Sequence, residues 1–427
     1  MRRVLALCAS LALFGSAACE TESPVEIGED LLPGESVTSF EVVLQPGQFL
    51  VLDSAFSLYS RNYQAPAQYV ADAFDGVLTA RALARFSPLP RSISVVDSVT
   101  NALASDTLPT WEGGRFVVLV DTLRSTHADA QFAVYRVAEA WDPITVTWEM
   151  RIDTTGVQEA WTQPGATLGA RVGEAVWTRG EGDTLNIELS ADDVVALRDS
   201  ADARLGFVLV TETAGARMRI NSIGFEADAR SSRADTVVTV NGIGAGRTFI
   251  YTPELTPRSD DPRVGGIPAW RTLMRLSPGL RDVEVPCPDR PGCTIRLGDS
   301  EITLAMLEYQ LAAPPPGFVP DDSVRLAAVP LLEAPGVPFA RSLLGSVASA
   351  VPSDRWIQVE EFDDVASAAP VRLPITFAIR SLLPDDAENI GIALVPAVPL
   401  GTLGFVPLEP NPVLRLVLTV SEEVQLQ

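Results

Sequence analysis

Arg81-Ala82-Leu83-Ala84-Arg85-Phe86-Ser87-Pro88-Leu89-Pro90-Arg91 returns 190 residues later (271 − 81) as Arg271-Thr272-Leu273-Met274-Arg275-Leu276-Ser277-Pro278-Gly279-Leu280-Arg281. Both copies alternate long polar with apolar side chains and stop at Ser-Pro, the pattern of a half-buried strand entering a turn. A second echo follows each copy. Leu205-Gly206-Phe207-Val208-Leu209-Val210 is matched by Ile390-Gly391-Ile392-Ala393-Leu394-Val395, at an offset of 185 (390 − 205). The paired echoes predict one architecture used twice. In each arginine–leucine strand the Leu and Phe side chains are expected on the core, with Arg on the outer face or rim.

The bulk composition agrees with this. The chain has 427 residues, enough for two domains of ordinary size, and it is 47% hydrophobic and 20% charged, as folded proteins are. Its 33 prolines and 30 glycines favour many short strands over long helices. The expected fold is all-β, with two tandem β-sandwich domains of jelly-roll type. Net charge is −23, from 55 acids against 32 bases, and every base is arginine. Such a surface repels nucleic acid and anionic membrane surfaces, which makes both poor partners.

The N-terminus reads as an export signal. Arg2 and Arg3 precede an apolar run, Val4 to Phe14, too short to span a bilayer as a helix of about 20 residues. Gly15-Ser16-Ala17-Ala18-Cys19 then resembles the lipobox of bacterial lipoproteins, although Ser16 stands where Leu is more usual. The resemblance implies lipidation of Cys19 and a lipid anchor to the membrane. Ordinary signal-peptidase cleavage is the alternative. Glu20 after the cysteine is similar to the sorting signal for the outer membrane, facing either the periplasm or the exterior. The expected organisation is a signal peptide (1–18), a polar tether (19–36), a first sandwich (37–240) and a second, divergent one (241–427). Cys287 and Cys293 bracket Pro288-Asp289-Arg290-Pro291-Gly292, spacing that predicts a local disulfide in an oxidising compartment.

Tyr135-Arg136-Val137-Ala138-Glu139-Ala140-Trp141-Asp142-Pro143-Ile144-Thr145-Val146-Thr147-Trp148 carries a family resemblance. A Trp, a short acidic turn and a Thr-Trp pair after a strand are similar to the DNRLRE-type domains, which are related to carbohydrate-binding modules. The Arg81–Pro90 strand and the segment after Leu185 extend the resemblance over roughly 75–230. It implies a β-sandwich with a sugar-related role. The second half has no counterpart of Trp141 and Trp148.

Catalytic motifs are sparse. His127 is the one histidine, in a polar loop, without a Gly-x-Ser-x-Gly elbow elsewhere. The glycines of Asn241–Arg247 lead into a strand-like run and not a helix, against a dinucleotide loop. Glu360, Glu361, Asp363 and Asp364 form the densest acidic group and are the candidate Ca²⁺ ligands. Trp141 and Trp148 read as core anchors or, alternatively, as sugar-stacking rings. Trp161, followed by Thr162-Gln163-Pro164-Gly165, reads as an exposed loop and the first candidate ligand contact. The expected function is a non-catalytic envelope lipoprotein that binds polysaccharide or adheres at the cell surface. An assembly component binding a surface protein is the alternative, and a polysaccharide-degrading enzyme a remote third.

Overall fold

The computed structural model describes residues 35–57, 62–256, 258–287, 292–332, 352–383, 391–398 and 401–423. The expected signal peptide and lipidation site at Cys19 lie outside the described residues, as does the tether up to residue 34. Antiparallel strands dominate, and among the described residues no helix exceeds the seven residues of Thr376–Leu382. None is long and apolar enough to cross a membrane. The fold is all-β.

The repeated strand shows how its faces are used. Side chains two apart in a strand share a face. In Leu78–Phe86, Ala80, Ala82, Ala84 and Phe86 enter the main core, whereas Arg81, Leu83 and Arg85 stand together on the other side. The expectation that leucine faces the core is therefore corrected, because Leu83 alternates with the alanines and not with the arginines. Leu83 is still fully buried, under a second apolar layer. Arg271–Leu276 behaves alike. Met274 and Leu276 join the core, while Leu273 packs outward against Ala327, Val329, Ala393 and Val395.

Each repeated strand sits in the same frame. Ala82, Leu83 and Ala84 pair with Leu209, Val208 and Phe207. Thr272, Leu273 and Met274 pair with Leu394, Ala393 and Ile392. The second pairing is the first, shifted by 190 on one strand and 185 on the other. Beyond lie Asp129–Val137 in the first sandwich and Leu326–Pro330 in the second. The facing layers are built on Thr110–Val120 with Arg217–Arg230, and on Glu301–Tyr309 with Val413–Glu423; in the first sandwich Gln68–Phe74 pairs with both layers and makes them one continuous sheet. Phe116 meets Phe207 edge-on across the first sandwich, with ring centroids 4.7 Å apart.

The outer edges are crossed over. Glu35–Leu44 pairs along its whole length with Val413–Glu423, and Leu50–Phe56 pairs with Arg271–Leu276. Residues 35–56 thus complete the C-terminal sandwich, where Leu44 and Phe49 are buried in the core. Val237–Asn241 and Gly244–Thr252 fill the equivalent places in the N-terminal sandwich, against Arg217–Arg230 and Leu78–Phe86. The expected boundaries at 37 and 240/241 are corrected accordingly. The N-terminal sandwich, about 62–252, is inserted between two segments of the other, and the two are nested rather than tandem. Alternation fixes which face of a strand is buried, but not which neighbour it takes.

Polar and apolar contacts join the sandwiches. The Tyr69 hydroxyl lies 2.8 Å from Asp321 Oδ2 and 2.9 Å from the Gly401 carbonyl oxygen. Arg124 Nη2 is 2.6 Å from Asp322 Oδ2, and Arg217 Nη1 donates to the Val319 carbonyl. Ile267, Trp270, Phe318, Leu403 and Phe405 extend the N-terminal core into the other half. Gly404 permits this closeness: a Cβ there would stand 2.3 Å from the Val319 carbonyl carbon. The predicted Cys287–Cys293 disulfide is present and closes the hairpin of Glu284–Pro286 and Thr294–Arg296.

One carboxyl ties the N-terminal segment down. The Tyr309 hydroxyl donates to Asp53 Oδ2 at 2.9 Å, and Asp53 Oδ1 is buried without a hydrogen-bond partner among the described residues. Burial raises the Asp53 pKa to about 7, with the Tyr309 hydrogen bond opposing. A carboxyl whose folded pKa exceeds its unfolded value stabilises the fold fully below the unfolded pKa and loses that contribution as pH rises through the folded one. The C-terminal sandwich is therefore expected to weaken between about pH 4 and pH 7 on this account. Asp53→Asn should flatten that slope, as read by denaturant unfolding across the range. An unchanged slope would refute the assignment.

Candidate functional site

The outer face of the Arg81 strand is covered by the connection from 138 to 167, between Asp129–Val137 and Leu168–Thr178. Val146, Trp141, Trp161 and Ala166 pack there with Leu83, Val208 and Ile250. The motif that carried the family resemblance builds this layer. The Asp142 carboxylate accepts from Ile144 N at 3.0 Å and from Thr145 Oγ1 at 3.1 Å, which forms a tight turn. Thr147 Oγ1 accepts from Met150 N and starts the hairpin Met150–Thr154/Val157–Ala160.

The three tryptophans have different roles. Trp141 is 3% exposed, donates Nε1–H to the Leu205 carbonyl at 2.7 Å and lies under the Arg85 guanidinium at 4.7 Å. Trp161 is 5% exposed and donates to the Thr147 carbonyl at 3.1 Å. The expectation that Trp161 contacts ligand from an exposed loop is corrected. Its neighbours are polar, but the indole fills the layer beneath them and its N–H finds a carbonyl, as a buried Trp requires. Trp148 is half-buried. The Arg81 guanidinium lies 5.1 Å from its ring centroid, and Gly165 presses against its six-membered ring. Burial lowers the pKa of Arg81, with Asp72 and Tyr135 opposing.

Trp148 borders a cleft of about 300 Å³, at the small end of ligand sites. The cleft lies between the 142–153 turn, the strand Gly244–Thr252 and the segment beginning at Asn62. Besides Trp148 its notable residues are Tyr251, Asn62, Thr145, Asp153 and Glu254. Glu254 Oε1 accepts from Trp148 N at 3.0 Å, and Asp153 Oδ1 accepts from Gln158 Nε2 at 2.9 Å, leaving each carboxylate one further oxygen. Asn62 Nδ2 donates to the Phe249 carbonyl and leaves its own carbonyl oxygen for a ligand. An aromatic edge with acceptors and two carboxylates suits a hydroxyl-rich neutral molecule or a cation, and opposes anions. A cleft of about 330 Å³ at the other end of the same strand is lined by Arg85, Phe86, Pro88 and Arg204.

The remaining candidates disperse. Glu361 pairs with Arg355 at 2.6 Å and closes a capping box on Gln358, and Asp364 accepts from Ser367 Oγ at 2.6 Å. Glu360 and Asp363 point to solvent. Among the described residues no group of three or more His, Cys, Asp or Glu is placed to hold a metal. The Ca²⁺ expectation is corrected, because Glu361 and Asp364 are engaged by local partners while Glu360 and Asp363 are exposed. His127 Nδ1 lies 3.0 Å from Thr126 Oγ1. Asn62, Tyr251, Asp153 and Glu254 were not singled out in the sequence, and nothing there marks them: they are ordinary residues joined only by the fold. No family model, curated protein or solved structure matches the chain.

Gly165 has φ +85°, and a Cβ there would fall 2.6 Å from Trp148 Cζ2. Gly165→Ala is expected to displace the Trp148 ring and cost about 1–3 kcal/mol. The Trp148 indole N–H resonance should move while that of Trp141 stays. An unmoved Trp148 resonance would contradict the contact.

Proposed function

We propose that the protein is a non-catalytic envelope lipoprotein, anchored through Cys19, that binds neutral polysaccharide in the Trp148 cleft. The cleft carries this reading: it places one half-buried indole and Tyr251 beside acceptors that match sugar hydroxyls. The export-signal pattern and the resemblance of the 135–148 motif to DNRLRE-type domains support it. Both cleft carboxylates already serve as structural acceptors, which favours binding over hydrolysis. A second reading, an assembly component with a protein partner, rests on the hairpin Ile93–Val96/Leu103–Asp106. Around it Val96, Val99, Leu103 and Leu108 are 55–91% exposed.

A glycan array probed with the mature chain tests the first reading. Binding to a neutral glycan is expected, and Asp153→Asn, which keeps an oxygen to accept from Gln158, should weaken it about tenfold, or 1.4 kcal/mol, with the melting temperature retained. Binding to no glycan would sink it. Release of shorter sugars from the bound glycan would replace binding with hydrolysis. One stoichiometric protein in a cross-linking pull-down would favour the assembly reading.

A further inference from the structure

The edge strands of the two sandwiches are exchanged reciprocally. Arg81, Ala82, Leu83, Ala84, Arg85 and Phe86 face Ile250, Phe249, Thr248, Arg247, Gly246 and Gly244, with a bulge at the last step. Arg271, Thr272, Leu273, Met274, Arg275 and Leu276 face Phe56, Ala55, Ser54, Asp53, Leu52 and Leu50, with a bulge at the same step. Every partner differs by one constant, 194 (250 − 56 and 244 − 50). Leu50–Phe56 is therefore the structural twin of Gly244–Thr252. The pair preceding the first core completes the second, and the pair preceding the second core completes the first.

We propose that the C-terminal sandwich is an acceptor for residues 35–56 as such, and that a second copy of this chain fills it in a reciprocal, strand-exchanged dimer. The donor presents two strands to two open edges, facing ten residues of Val413–Glu423 and six of Arg271–Leu276. It also brings Leu44 and Phe49 into the core. An acceptor without it would expose two edges and an open apolar interior, the arrangement that strand addition satisfies. The donor is also remote in sequence, since Arg271 lies 215 positions after Phe56 (271 − 56). Synthesis delivers the donor long before its acceptor, and every neighbouring copy carries an identical one. Loop closure grows costlier only slowly with length, so the donor from the same chain wins in dilute solution and a neighbour's competes when chains are concentrated. The second copy is the fitting partner because it supplies the same apolar residues in the same register.

Ser39 and Thr419 stand opposite each other, with hydroxyls 3.1 Å apart. Two full-length chains of unequal mass, with Cys8 and Cys19 replaced by serine, would carry Ser39→Cys in one and Thr419→Cys in the other. Refolded together and oxidised, they are expected to give a covalent heterodimer. Its ratio to monomer should rise about tenfold for each tenfold increase in protein concentration. Mixing the same chains already folded should give little. A chain with both substitutions, refolded dilute, should link internally and stay monomeric. Absence of the heterodimer at every concentration, while the double variant links internally, would overturn the proposal. Failure of the double variant to link would remove its basis in the 39–419 register.

Discussion

A β-sandwich is stable only when both layers are wide enough to close over their core and their edges are paired or covered. From residue 258 onward the chain supplies two layers that each lack an edge. Residues 35–56 meet that need, and the rest of the architecture follows. Glu35 ends opposite Glu423, so the two ends of the described chain lie side by side. The N-terminal sandwich becomes an insertion between Phe56 and Arg258, held against its host by Tyr69, Arg124 and the Phe318–Phe405 ring cluster. Contacts of this kind mean that the two halves share stability.

The same exchange shapes the candidate site. Gly244–Thr252, the partner pair's second strand, completes the first sandwich and also floors the cleft through Thr248, Ile250 and Tyr251. The outward face of the Arg81 strand is buried by the Trp141–Trp161 layer instead of meeting solvent. Trp148, at the margin of that layer, is half-buried and lines the cleft. Arg81 and Gly165 hold its ring from the protein side.

What could be read beforehand was local. Alternation and the Ser-Pro stop identified both repeated strands, and six-residue spacing identified the Cys287–Cys293 link. Strand partnership was not legible, because 35–56 and 237–252 carry the same alternating signal whichever core they join. Trp161 was misplaced since flanking Glu, Gln, Pro and Gly describe the backbone's exposure and not the indole's. Glu360 through Asp364 looked like a cation site because sequence proximity was taken for convergence, whereas Arg355 and Gln358 draw Glu361 into a local cap. Asn62 and Glu254, 192 residues apart (254 − 62), become neighbours at the cleft only after the long-range sheet forms.

Hydrogen exchange in a Phe49→Ala chain tests the exchanged architecture most directly. Phe49 is fully buried among C-terminal residues, and its truncation costs about 3–5 kcal/mol in a well-packed core. Amide protection is expected to fall in 271–276, 301–309, 392–396 and 413–423, while 78–86 and 110–120 keep theirs more fully. Loss confined to 62–252, with the C-terminal strands unaffected, would contradict it.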